Sequence, residues 1–488
     1  MFKCDKIQPC RERRKRIMAV RCTTFIQRYT KAINDGCAAV FAGAGLSVPS
    51  GYVSWKELLR PLAEEIGLSI DKEHDYLSIA QYYFNKQGNR AGINDMVLEA
   101  FVREAQYNEN LEIITRLPID TYWTTNYDHL IEESLQSNGR KPDVKITNEN
   151  LSTNLRDSSA VVYKMHGDVQ FPNDAVLIKE DYETYRLNRE PFTTILKGHL
   201  LSKTFLFIGF SFEDPNLGSI LSWIKNLLGS NVREHYCLFE KVSAKNDEES
   251  EEFAYRKAKQ DLIVDDLKRY GIQAVLLDSY SEIPGILKEI ERQCNLNNIF
   301  ISGSMSFDNE EWPIDLAKKF STDLAQRLVT EGKCITSGYG LGIGSSIITG
   351  VLNGVREKRY AHFDEYLKLY PFPQPTPGED FKKLWHDYRQ EILKNCGVVV
   401  FVFGNKADKD GKKVYASGML DEYKIAKEQN KILIPVASTG DAAKIIYEKM
   451  FEEKEEYPYL NDYWEILKEE RDVSRLVKTI NSIINKAV

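Results

Sequence analysis

Two side chains in the first half of the chain stand where they could act on a bound molecule. Asn126 closes the β-rich run 119–125 and leads into Tyr127 and Asp128. His166 closes the run 160–165 and leads into Gly167 and Asp168. A carboxamide donates and accepts, so Asn126 can hold water and hydroxyl groups. An imidazole works as a general base near neutral pH, an effect typically worth about 10²–10⁴ in rate. Each also has a plainer explanation when taken alone: an Asx-turn for Asn126 and a hydrogen-bonded structural histidine for His166. Two glycine turns add a different chemistry, Gly43-Ala44-Gly45-Leu46-Ser47 and Gly209-Phe210-Ser211, the latter followed by Asp214-Pro215-Asn216. Glycines let backbone approach an anion, and free N–H groups at a helix start point toward it. A tight turn in some α/β protein is the alternative, because Val48 stands where a Gly-x-Gly-x-x-Gly fingerprint needs its third glycine.

The elements that would position these groups are legible around them. An amphipathic helix over 23–34 leads into the apolar run 38–42, which reads as a buried strand. After the glycine turn a helix is predicted near Ser54, where Ser54-x-x-Glu57 has capping-box spacing. Residues 204–208 form another apolar strand, and 235–239 and 273–277 two more, separated by a charged insert over 241–259 that reads as a solvated helix or loop. Every polar cluster sits where a strand stops. In a parallel α/β sheet ligands bind beyond the carboxyl ends of strands, at a topological switch point, so the four clusters are expected to converge on one crevice.

A second pattern of the same kind follows a helical repeat of Ile283, Ile286, Leu287 and Ile290. A strand over 298–301 is predicted to end at Ser302-Gly303-Ser304. Another over 333–336 leads into a run containing Ser337, Gly338 and Gly340. An apolar strand over 398–403 leads into Gly404-Asn405-Lys406. Between them lie a loop with Pro371, Pro373, Pro375 and Pro377 and a helix carrying Arg389. Ser417 to Glu422 opens a further helix, and 431–436 is the last strand. Residues 1–19 are expected to be a basic, disordered extension, with a start at Met18 as the alternative, 20–284 one domain, 285–297 a linker helix and 298–488 a second domain.

Composition narrows the class. The chain has 488 residues, too many for one ordinary core. A net charge of −7 argues against nucleic acid or an anionic membrane as the main partner. No apolar run reaches the roughly 18 residues that span a bilayer, and the basic lead lacks the apolar segment of a signal peptide. The eight cysteines are scattered without a Cys-x-x-Cys, which points to a reduced, cytoplasmic protein with no metal site.

NAD is the ligand these groups suit. Its nicotinamide leaves as a neutral base from a cationic ring, so cleavage needs no acid. What it needs is a held ribose, a stabilised oxocarbenium-like state and a directed nucleophile. The motifs Gly43-Ala44-Gly45-Leu46-Ser47, Thr125-Asn126-Tyr127-Asp128, Lys164-Met165-His166-Gly167 and Gly209-Phe210-Ser211 resemble, in that order, those of sirtuins. The resemblance implies an NAD crevice built by Gly43, Ala44, Gly45, Ser47, Asp128, Gly209 and Ser211, with Asn126 and His166 catalytic. Thr124-Thr125 replaces the sirtuin Gln-x before the asparagine, and the four-cysteine zinc module is missing, which favours water as acceptor over an acyl-lysine. A protein deacylase or a non-catalytic nucleotide-binding module remain the alternatives.

The second half resembles a SLOG domain through Ser302-Gly303-Ser304, Ser337-Gly338-Tyr339-Gly340, Gly404-Asn405-Lys406 and Gly418-x-x-x-Glu422. Ala416-Ser417-Gly418 stands where the hydrolytic relatives carry a Pro-Gly-Gly motif, which suits a sensor. The pairing implies two Rossmann-like parallel-sheet α/β domains, sirtuin-like without a zinc module and then SLOG. It resembles the NAD-hydrolysing effectors of Thoeris antiphage defence. That resemblance implies an autoinhibited homo-oligomer, typically a tetramer, switched on by a cyclic ADP-ribose isomer made by a TIR-domain partner. It places ligand contacts on Ser302, Gly303, Ser304, Ser337, Gly338, Gly340, Arg389, Lys406 and Glu422; surface ion pairs are the plainer account of the three charged ones.

Overall fold

The computed structural model describes residues 19–487, apart from 102–103, 213, 230, 246–247, 310, 359–360 and 374–380. The basic lead and the prolines at 375 and 377 lie outside the described residues. The chain divides into two compact units, 1–290 and 291–488. The helix Ile283–Asn295 contains the point of division.

The first unit is built on a seven-stranded sheet: β1 (Ala38–Ala42), β2 (Thr121–Thr124), β3 (Pro142–Lys145), β4 (Ala160–Lys164), β5 (Thr204–Ile208), β6 (His235–Glu240) and β7 (Ile272–Leu277), in the order β3-β4-β2-β1-β5-β6-β7. All pairings are parallel. Helices cover both faces, so β1 and β5 are buried at every position and read as unbroken apolar runs. The helix Cys22–Asn34 turns Phe25, Ile26, Tyr29 and Ile33 inward, and the Tyr29 hydroxyl donates to Ala39 O at 2.9 Å. After β4 the chain crosses β2 and β1 to form β5, which makes the gap between β1 and β5 the switch point.

Several sequence expectations change in detail. Helix begins at Ala44, directly after Gly43, in a short turn Ala44–Ser47; the helix Trp55–Glu65 comes later. Ser54 caps that helix as expected, but the reciprocal half of the capping box does not form, because Arg60 takes both oxygens of Glu57. β3 escaped the sequence reading: Pro142 and two charged residues in four suit an edge strand and carry no apolar signal.

The second unit holds a six-stranded sheet: β8 (Asn298–Met305), β9 (Cys334–Ser337), β10 (Leu367–Leu369), β11 (Val398–Ala407), β12 (Lys413–Tyr415) and β13 (Ile432–Pro435). The order is β10-β9-β8-β11, with β12 and β13 both pairing β11 and only β12 antiparallel. Here the switch falls between β8 and β11. Ser302-Gly303-Ser304 does not follow a strand, as expected from sequence, but lies inside β8. Asn405 and Lys406 likewise lie inside β11, which runs on past a bulge between Phe403 and Asn405 to pair with β12. Polar residues hid both extensions.

Candidate functional site

Parallel register brings the four clusters of the first unit level. Ala42 pairs with both Thr124 and Ile208, and Thr124 pairs with Lys164. Gly43 and Gly209 are therefore one residue past the paired row, and Asn126 and His166 two residues past it, on neighbouring strands.

Backbone packing accounts for the glycines. Gly45 N donates to Gly209 O at 2.9 Å, and a Cβ on Gly43 would stand 2.4 Å from that oxygen. Gly209 is left-handed (φ 64°), and its Cβ would meet Leu46 N at 2.1 Å. The two turns that flank the switch point thus touch main chain to main chain. Ser211 is exposed at the end of the second turn.

Asn126 is buried and held from three sides. Its backbone N–H donates to Thr124 Oγ1 at 2.9 Å; Nδ2 donates to Gly43 O and to Ser47 Oγ, each at 3.0 Å. A carbonyl can only accept, so Gly43 O fixes which amide atom faces it and leaves Oδ1 as the free acceptor of the carboxamide. Ser47 passes its own proton on to Asp128 Oδ2 at 2.7 Å. Burial raises the Asp128 carboxyl, and the Ser47 hydroxyl opposes that rise. Asp128 also lines a cavity of about 310 Å³ with Glu104, Glu133, His129, Tyr52 and Phe101.

His166, 3% exposed, sits edge-on to Tyr182 and Tyr185. Its Nε2 lies 3.1 Å from Asp214 Oδ2, without the alignment of a hydrogen bond among the described residues. Burial would raise the Asp214 carboxyl, but the imidazole and the backbone of its helix outweigh burial and hold it low. Asp214 also caps the helix Pro215–Leu228, accepting from Leu217 N at 2.9 Å. Sequence reasoning gave Asp214 no role; its signal was an Asp-Pro helix start next to a candidate site.

Contacts therefore link the loops in pairs: Asn126 with the turn after β1, His166 with the loop after β5. The Asx-turn does form at Asp128, whose Oδ1 accepts from Leu130 N at 3.1 Å, rather than at Asn126.

In the second unit Ser302 Oγ donates to Glu422 Oε2 at 2.6 Å, and Arg389 Nε lies 3.4 Å from Glu422 Oε1. These side chains are 12% (Arg389) and 9% (Glu422) exposed, so the surface ion pair expected as the plainer account is not what forms. Burial raises the Glu422 carboxyl despite Ser302 and Arg389. The Arg389 guanidinium also stacks over Phe372 at 4.8 Å. Ser304 Oγ donates to Asn405 O at 3.0 Å, and Ser337 Oγ accepts from Tyr339 N at 3.2 Å. Gly303 and Gly340 repeat the main-chain contact of the first unit, a Cβ on Gly340 falling 1.8 Å from Gly303 O; a Cβ on Gly338 would meet Phe372. Lys406 is half-buried, and its backbone pairs with Val414.

Among the described residues no group of three or more His, Cys, Asp or Glu could hold a metal ion, and no helix is long and apolar enough to cross a membrane. Fold and site define a sirtuin-like α/β unit joined to a SLOG unit. The profile of the SIR2-like domain matches residues 120–263, and that of the Sir2- and TIR-associating SLOG family matches 282–487. The chain is 45% identical to the NAD(+) hydrolase ThsA of Bacillus cereus over 89% of its length and 90% of the relative's. It is 41% identical to that of Acinetobacter baumannii over 94% and 98%, and 42% identical to that of Enterococcus faecium over 94% and 98%. Defense-associated sirtuin 2 of Bacillus subtilis matches 41% of the chain at 29% identity, over 20% of its own length. The chain belongs to the ThsA family of NAD(+) hydrolases, and NAD is its substrate.

Proposed function

We propose that the crevice between β1 and β5 hydrolyses NAD to nicotinamide and ADP-ribose, and that the second unit controls it. Asn126 Oδ1 orients a water molecule and the nicotinamide ribose. His166 takes the proton as the water oxygen bonds to the anomeric carbon and the carbon–nitrogen bond breaks, its electrons passing to the pyridinium. Asp214 steadies the imidazolium that results. The carboxylates of the cavity beside Asp128 favour a cationic ring over a neutral one, which suits the substrate end of NAD. The observation that carries the reading is the locked Asn126 amide with its acceptor spare, level with His166 at the strand ends of a NAD(+) hydrolase family member.

The second unit is read as a sensor for a cyclic ADP-ribose isomer. Arg389 and Lys406 suit its diphosphate and Glu422 its ribose hydroxyls. A TIR-domain partner makes the messenger after phage infection. The protein is an autoinhibited, cytoplasmic homo-oligomer built on a tetramer, and NAD depletion stops the infected cell. The name of the matched SLOG family and that of the defense-associated sirtuin relative support this context. Activation requires the messenger to bind the active arrangement more tightly, since equal affinity for two states shifts neither.

The test is NAD loss against a panel of ADP-ribose isomers. Asn126→Ala is expected to be inactive throughout and Arg389→Ala to lose its response to the activating isomer. Hydrolysis by Asn126→Ala overturns the site, and full activation of Arg389→Ala overturns the sensor. Particle size and shape, measured with and without that isomer, tests whether activation works by subunit rearrangement; full activity in an unchanged particle rejects it.

A further inference from the structure

Lys164 is fully buried and has no part in the chemistry described so far. Its Nζ donates to Tyr127 O at 3.1 Å, to Asp128 O at 2.6 Å and to the carboxylate of Asp168. An ammonium has three protons, and these three bonds use them all. Glu132 Oε1 lies 3.3 Å from the same nitrogen with no hydrogen bond among the described residues, and burial raises its carboxyl despite the nearby ammonium. Asp168 is held further by His129 Nε2 at 2.9 Å and by Gln170 N at 2.8 Å. Burial would raise its carboxyl, but His129 and Lys164 outweigh burial and keep it low.

The direction of the bonds is informative. A lysine present only to neutralise buried carboxylates would divide its protons between Asp168 and Glu132. This one spends two on the main chain of Tyr127 and Asp128, directly after Asn126, and the third on Asp168, two residues after His166. We infer that Lys164 is a positioning residue that sets the loop carrying Asn126 against the loop carrying His166. The inference rests on the roles proposed above for those two side chains. Two of the bonds cross from the end of β4 to the loop carrying Asn126, and the third draws the loop carrying His166 back onto its own strand. Their reacting groups must meet one ribose carbon, where a misplacement of about 1 Å costs roughly 10² in rate.

Glu132→Gln, Asp168→Asn, Lys164→Met and the charge-balanced double variant Lys164→Met/Glu132→Gln test it, with Asn126→Ala as the blank. NAD hydrolysis gives kcat and KM, and thermal melting gives stability. Glu132→Gln is expected to stay within about 3-fold of the wild-type kcat, because it frees no loop. Asp168→Asn and the double variant are expected to lose roughly 10–10² in kcat with KM for NAD little changed. The double variant should also melt closer to wild type than Lys164→Met does. Recovery of wild-type kcat by the double variant would show that charge balance was the whole role. Should no Lys164 variant fold, the two isosteric carboxylate variants still decide: equal kcat losses at equal loss of melting temperature overturn the inference. Activity in Asn126→Ala would instead overturn the proposed site.

Discussion

Ser47→Ala removes one oxygen and tests the architecture of the whole site. Ser47 is 4% exposed; its hydroxyl donates to Asp128 at 2.7 Å and accepts from Asn126 at 3.0 Å. Losing a hydrogen bond to a charged acceptor costs about 1.5–3 kcal/mol, and leaving one amide proton of Asn126 without its acceptor adds about 1 kcal/mol. The expected deficit is therefore about 2.5–4 kcal/mol, a fall in melting temperature of roughly 4–7 °C for a unit of this size. The deficit depends on pH with a definite sign. Burial already raises the Asp128 carboxyl, and loss of the donated proton raises it further. A carboxyl whose folded value lies above its unfolded value, about 4, costs folded-state stability as pH rises through the interval between them. The variant should lie closer to wild type at about pH 5 than at about pH 8. Its NAD hydrolysis should fall by roughly 10–10², since Asn126 is then held by Gly43 O and its own backbone alone. Thermal melts of both proteins at the two pH values, with nicotinamide release measured alongside, check this. A deficit that does not vary with pH, or wild-type turnover, would refute the bridge between Asp128 and Asn126.

Asp214→Asn keeps an oxygen to cap the helix Pro215–Leu228 but removes the charge beside His166. Melting temperature should change little while kcat falls at least about 10-fold; unchanged kcat would remove Asp214 from the reaction. Gly209→Ala and Gly36→Ala compare two left-handed glycines, one packed against Leu46 N and the other with nothing within 4 Å. Gly36→Ala should cost about 1–2 kcal/mol and Gly209→Ala clearly more, and equal urea midpoints would contradict the main-chain contact. Prolonged dialysis against EDTA should leave NAD hydrolysis unchanged, and a loss restored by a divalent cation would reveal a metal requirement.

Much of the fold could be read because burial on both faces leaves a simple trace. β1 and β5 occupy the apolar runs 38–42 and 204–208 residue for residue. Strands with other surroundings were harder. β3 is a charged edge, and β8 and β11 continue through serine, asparagine and lysine that look like loop. There, pairing with a neighbour decides the element, and the partner is distant in sequence.

The site divides the same way. The sequence by itself determined that an asparagine, a histidine and two glycine turns end strands of a parallel sheet, because residue type and alternation are local properties. Only the tertiary structure decided their working partners. Gly43 O orients the Asn126 amide across 83 positions, Ser47 reaches Asp128 across 81, and Asp214 arrives at His166 from beyond another strand. It also decided that the glycines serve contact between two backbones and that Glu422 and Arg389 meet in the interior. Hydrogen bonds and buried charges act over a few ångströms of space, and crossover connections bring together residues that the chain keeps far apart.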